Sequence, residues 1–313
     1  MTIMKKYLAV FIAALALLSG GALCAQTAQY TVNLEPFWGV DVSGPFEVSF
    51  VRGSQYRALI SVLEPYKEYV TCEVNGGILT LTLDERKVPS DVKKQFRGKG
   101  TPDPFYRAVV YVPDLLRSVR LSGKAVMQDT EDLFDKARVS FEVEGNAQLR
   151  ALQLSSLVFS LDMKGKSSAE FNISCRESEI IMAVSAVLNL SGDCDQCNWT
   201  VQGSSKLNSN CTAKHFSLTG KGNADAILSG SSEDAVYDLA GTIEVDASRM
   251  EVSSADVRMS SVCKLSVNAL QSLKVNLNGG SVLNFAGEPS VIIDNIRSST
   301  MSRLKTGAAS ARL

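Results

Sequence analysis

The chain has 313 residues, 45% of them hydrophobic and 21% charged, with a formal net charge of −1. That balance is ordinary for a globular protein and supports one long domain or two small ones. It excludes the basic footprint of a nucleic-acid-binding protein and a polybasic membrane surface.

In chain order, the first element is a targeting segment. Lys5 and Lys6 precede the apolar run at 8–18, and small residues follow up to Ala25. These are the charged, apolar and small-residue zones of a secretory signal peptide. Cleavage is expected after Ala25, although Leu23 is large for that position. Lipidation at Cys24 is the alternative, and Leu23 disfavours it. No later run reaches the length of a membrane-spanning helix, so no transmembrane segment is expected.

Residues 26–115 read as a β-rich cap. The stretch 38–53 alternates like two short strands around Gly44-Pro45, and 73–84 reads as a hairpin arm after an Asn-Gly turn. A short helix is expected near 64–72. The basic stretch 86–100 lies among Pro and Gly and reads as a solvated loop.

From residue 116 to 296 the sequence repeats. Nine copies carry a marker at Gly123, Gly145, Gly165, Ser185, Gly203, Gly220, Gly241, Ser261 and Gly279, a period of about 20 residues. Four and two residues before each marker the side chains are apolar, as in Phe141 and Val143 or Trp199 and Val201. The positions between them are mostly polar. Alternation with period two marks a strand with one buried face. One such strand cannot bury its face alone, so repeats of this length stack into a solenoid. The leucine-rich frame is absent, which leaves an all-β, single-stranded parallel β-helix. Nine coils at ~4.8 Å each would span on the order of 40 Å. Small residues after the markers, such as Ala125, Ala147 and Ser205, relieve crowding at a corner, and Ser155, Ser174, Ser191, Asn210 and Asn268 form a polar corner ladder. Residues 297–313 are expected as a polar tail.

The order of "VDVSGPFEVSFVRG", "VNGGILTLTL" and "AVVYVPDLLRSVRLSG" leading into Gly-marked coils resembles the head GIN domain family of exported bacterial adhesin-like proteins. The likeness covers roughly 35–295 and departs at the basic insertion 86–103 and in the final coils. The resemblance implies a right-handed β-helix and a periplasmic or cell-surface location. It implies no defined site.

Candidate chemistry is sparse. His215 is the only histidine, beside inward Phe216, and reads as a surface residue without a nucleophile's elbow. No cofactor or metal motif is complete. Glu142, Glu144 and Asp162 project from neighbouring coils with Lys164 adjacent, a possible sugar contact or calcium site, or else a solvated face. Trp199, Phe216 and Tyr237 are expected in one inward column as core stacking, and Phe37 and Trp38 either face a ligand or plug the first coil. Cys175, Cys194 and Cys211 fall at matching corner positions, a ladder of small buried hydrophobes in which a disulfide is also feasible. Cys194 and Cys197 lack the second pair that zinc requires. The sequence favours a non-catalytic binding or adhesion module that engages a glycan or envelope protein. A polysaccharide-degrading enzyme and a structural envelope protein are the alternatives; oligomeric state is open.

Overall fold

The computed structural model describes residues 27–95 and 106–304, so the expected signal peptide and Cys24 lie outside the described residues. The chain is 71% strand and 4% helix, wound into a parallel β-solenoid of about ten turns with a period of about 19 residues.

Each regular coil is one long strand running from one tight turn to the next. These are β11 (Gln148–Met163), β12 (Ser168–Met182), β13 (Val187–Gly203), β14 (Lys206–Gly222), β15 (Asp225–Gly241), β16 (Glu244–Ser261) and β17 (Lys264–Asn278). In β12, Ala169, Phe171 and Ile173 point inward, and so do Ser178, Ile180 and Met182. The alternation resets between these two groups, at Cys175–Glu177, where the strand bends. A strand with period-two side chains must lose phase at such a corner if both arms are to face one core.

The tight turns share a positive φ and stack on one another. Gly145, Gly165, Val184, Gly203, Gly222, Gly241, Ser261 and Gly279 occupy them. This corrects two markers expected from the sequence. The fourth is Val184 rather than Ser185, and the sixth is Gly222 rather than Gly220. With both corrected, the turns at 165, 184, 203, 222 and 241 are spaced evenly by 19 residues. The inward residues of the fourth coil are then Ile180 and Met182, and Ile181 is exposed. Gly220 is instead buried, where a Cβ would meet Leu239 at 2.9 Å.

Val184 is a β-branched residue at φ +73, held there because its carbonyl accepts from Ser204 N at 2.6 Å. That conformation costs a non-glycine residue about 1–3 kcal/mol. Val184→Gly is therefore expected to raise stability by about 1 kcal/mol, after the extra chain entropy of glycine is subtracted. Chemical denaturation checks this; a loss of stability would show that the exposed valine makes a contact of value.

The N-terminal part contributes coils as well as a cap. Strands β2 (Gly39–Ser43) and β3 (Glu47–Arg52) flank Gly44 and pair in parallel with β8 (Ser118–Leu121) and β9 (Val126–Met127). On their other side they pair with β6 (Ile78–Leu83) and β7 (Tyr106–Val112). The early β2–β3 coil thus lies between two coils that come later in the chain. Strands β1 (Thr27–Asn33), β4 (Arg57–Leu63) and β5 (Val70–Asn75) run antiparallel and finish this end. Antiparallel strands there end the parallel stack and cover its first apolar layer. Glu64–Tyr69 is a 3-10 helix, and the β5–β6 hairpin turns at Gly76–Gly77 as expected. Part of the basic insertion, expected as a loop, forms the short helix α1 (Ser90–Gln95).

β10 (Arg138–Val143) joins this region to the regular coils, pairing with β8 and β11. After β17, β18 (Val282–Ala286) and β19 (Ser290–Arg297) continue the stack, and β20 (Thr300–Arg303) pairs with β18. Strand structure therefore reaches into the segment expected as a tail from 297.

The core is one continuous column. Trp199, Phe216 and Tyr237 are all buried in it. They do not share one column, however: Trp199 and Tyr237 flank Leu218, while Phe216 stacks between Cys197 and Ala235. The corrected turn at Gly222 accounts for the shift. The rings still touch, with centroids 5.1 Å apart for Trp199–Phe216 and 6.1 Å for Phe216–Tyr237. Trp199 also donates its indole N–H to Ser178 Oγ at 2.9 Å.

Candidate functional site

The outer surface carries three features built from stacked columns. The first brings together all four acidic-site residues read from the sequence. Arg120, Glu142 and Asp162 stand opposite one another on β8, β10 and β11. Arg120 bonds Glu144 at 3.1 Å and lies 3.6 Å from Glu142. Lys164 bonds Asp162 at 2.8 Å and lies 4.0 Å from Glu144. Sequence reasoning missed Arg120, which sits one coil away in a column already recognised as outward.

The electrostatics follow from these contacts. Partial burial raises the Glu142 carboxyl, while the Arg120 hydrogen bond holds Glu144 below the ordinary carboxylate range. Two cations and three carboxylates form a connected surface network, in which the buried Asp162 Oδ1 has no hydrogen-bond partner. Among the described residues no group of His, Cys, Asp or Glu is arranged to hold a metal ion.

The second feature is an amide face on β11–β14. Gln153, Asn172, Ser191 and Asn210 form one outward column. Glu170, Asn189 and Asn208 form the next. Together they line a shallow depression running across the coils. Asn172, Asn189, Asn208 and Asn210 are exposed, and Asn208 Nδ2 donates to Asn189 Oδ1 at 3.5 Å. Each amide carries two donor hydrogens and an acceptor oxygen. Successive rungs rise by about 4.8 Å, comparable with one pyranose unit. Glu170 is the one charged side chain on the lining. The expected corner ladder is thereby divided: Ser191 and Asn210 belong here with Asn172, whereas Ser155 and Ser174 align with Asp193.

The third feature is a depression at the first coil. Phe37 is buried and Trp38 is 45% exposed, so the two neighbours take opposite roles. Tyr56 donates to Asp114 at 2.5 Å, and Arg117 pairs with Asp135 at 3.2 Å. Asp135 also accepts from the backbone N–H groups of Ala137 and Arg138, which lowers its carboxyl below the ordinary value. A depressed folded-state value gives stability that is present above the unfolded value and lost as pH falls through the folded one. Asp135→Asn is therefore expected to destabilise at neutral pH, with the gap to wild type closing below about pH 3.8. Unfolding midpoints measured from pH 7 to 3 check this; a constant gap would contradict it.

His215 is exposed, as expected, and its Nδ1 lies 2.6 Å from Asp234. The cysteines depart from the expected single column. Cys175 and Cys194 are direct partners, but Cys194 next faces Ala213, and Cys211 stands opposite Gly192. Cys211 lies 4.0 Å, sulfur to sulfur, from Cys197. The bulge that was to align Cys194 with Cys211 is not formed, because Gly192 and Asp193 keep regular pairing on both sides.

Comparison with known proteins fits this architecture. A family model described as "Putative auto-transporter adhesin, head GIN domain" matches residues 36–212 and 201–289. The chain belongs to the head GIN domain family. Solved structures with a similar fold include a "putative adhesin" from Parabacteroides distasonis, with TM-score 0.53 and 11% identity, covering 90% of this chain and 98% of that one. A "putative adhesin" from Parabacteroides merdae matches with TM-score 0.44 and 12% identity over 90% and 98% of the two chains. A "Putative lipid binding protein" from Parabacteroides distasonis matches with TM-score 0.47 and 16% identity over the same shares. No curated protein matches. No described helix of this head GIN chain is long and apolar enough to cross a membrane.

Proposed function

We propose that the chain is an exported, non-catalytic adhesion module of the bacterial cell envelope that holds a neutral glycan along the amide face of its solenoid. The observation that carries this reading is the pair of adjacent outward columns bearing Gln153, Asn172, Asn189, Asn208 and Asn210. Exposed amides suit hydroxyl groups, which also both donate and accept, and Asn189 and Asn208 spend only one long hydrogen bond on each other. An ionic ligand would favour the Arg120–Lys164 network instead, but both of its cations are already paired with carboxylates. The family supports a binding role, and its description as an auto-transporter adhesin supports export to the envelope.

A glycan array probed with the purified chain tests this. Binding to uncharged oligosaccharides that persists in high salt is expected, because no ion pair has to form. Asn189→Leu with Asn208→Leu is expected to weaken it at least tenfold, as buried sugar hydroxyls lose partners worth about 1.5 kcal/mol or more. Released product that disappears in Glu142→Gln would overturn the non-catalytic reading. Silence on all glycans, with specific capture of an envelope protein, would overturn the ligand class.

A further inference from the structure

Four of the chain's cysteines converge inside three adjacent coils. Cys194, Cys197 and Cys211 are buried, and Cys175 is half-buried. Cys175 and Cys194 stand directly opposite on parallel neighbours β12 and β13. Their Cα atoms are thus about one strand spacing apart, ~4.8 Å, inside the disulfide range of about 4.4–6.8 Å. Both lie at the coil corner, and a surface depression opens onto them. Its rim carries Asp195 and Lys214, which pair at 2.9 Å, and Glu233. Cys197 and Cys211 do not line that opening.

The Cys194 sulfur is set among polar partners. It lies 3.4 Å from Ser178 Oγ and 3.0 Å from the Gln196 carbonyl.

We propose that Cys175 and Cys194 form a disulfide that ties two adjacent coils together, made and broken by exchange with small disulfides and thiols that reach Cys175 through this depression. The oxidant is a disulfide of the form RSSR. The Cys175 thiol gives up its proton and its sulfur attacks RSSR, giving a mixed disulfide on Cys175 and releasing RS⁻, which takes up that proton. Cys194 then gives up its proton and attacks the Cys175 sulfur, expelling the second RS⁻. Two protein thiols are oxidised by two electrons, RSSR is reduced to two RSH, and both protons end on the departing thiols. The inference concerns the coil corner alone and does not depend on the glycan reading.

The reduced full chain incubated with oxidised glutathione tests this, followed by denaturation, alkylation of free thiols and non-reducing peptide mapping. Cleavage after Arg176 separates Cys175 from Cys194, and cleavage before Asp195 separates Cys194 from Cys197. The expected result is a Cys175–Cys194 cross-linked peptide, with two thiols lost per chain and a higher unfolding temperature than the reduced chain. Cys194→Ser should trap glutathione on Cys175, Cys175→Ser should stop the oxidation, and Cys263→Ser should leave it unchanged. The proposal is overturned if Cys175 stays free in the wild type. It is equally overturned if wild type and Cys194→Ser hold the same glutathione adduct, or if the cross-link joins other cysteines.

Discussion

Replacing Gly192 with alanine is expected to cost about 4 kcal/mol, close to the whole margin of many domains. Gly192 has φ +132, and a Cβ there would lie 1.8 Å from the Ile173 carbonyl oxygen on the preceding coil. That atom is backbone of a stacked strand, so no side-chain rotation can relieve the overlap. The strain of the backbone conformation contributes about 1–3 kcal/mol. An inter-coil hydrogen bond broken in the interior adds about 1–3 kcal/mol. The column shows the same requirement two coils on, where a Cβ at Gly230 would lie 2.1 Å from the Cys211 carbonyl. Gly76→Ala is the control: it also has positive φ, but nothing lies within 4 Å of its Cβ position. It should cost about 1 kcal/mol, the local backbone preference alone. Urea unfolding of both variants separates the two cases, and equal effects would contradict the stacking argument.

Trp199→Ala is expected to cost about 4 kcal/mol through the cavity it leaves. Trp199 is 1% exposed and meets Phe216 edge-on at 5.1 Å. The loss also removes the hydrogen bond to Ser178 Oγ, a buried hydroxyl that Cys194 approaches from the other side. Trp199→Phe keeps most of the packing and should cost about 1–3 kcal/mol. If alanine and phenylalanine proved equally damaging, the polar contact would dominate and the packing account would fail.

The repeat was legible in the sequence because two physical constraints write themselves plainly into it. Inward faces alternate, and tight turns with positive φ select glycine. The exceptions were illegible for the same reasons. At Val184 the turn carries a residue that normally avoids it, so the neighbouring Ser185 looked like the better match. At Gly220 a glycine fills a crowded inward position, two residues before the real turn at Gly222. That shift moved Phe216 out of the Trp199–Tyr237 column. The parity of inward and outward survived it, which is why all three aromatics were still placed in the core.

The candidate site was less visible. Glu142, Glu144, Asp162 and Lys164 are near one another, as their columns implied, but the partner that neutralises them is Arg120 from the coil before. The amide face was present in the sequence only as Asn172, Asn189 and Asn210 scattered at different steps of the repeat. Its two columns emerge once β11–β14 are paired residue by residue. The Cys194–Cys197 spacing looked like a consequence of a corner meeting a strand, and it is one. The sequence placed Cys175 and Cys211 in one column with Cys194, whereas the pairing keeps Cys175 there and sets Cys211 opposite Gly192, beside Cys197.

The central claim is that the amide face, rather than the ionic network, holds the ligand. Titration calorimetry with an uncharged oligosaccharide selected on the array tests it most directly, comparing Asn189→Lys/Asn208→Lys with Glu142→Lys/Asp162→Lys. The account predicts that the first pair abolishes measurable binding while the second changes affinity less than threefold. Full binding by the amide-face variant, with loss in the ionic-network variant, would contradict it.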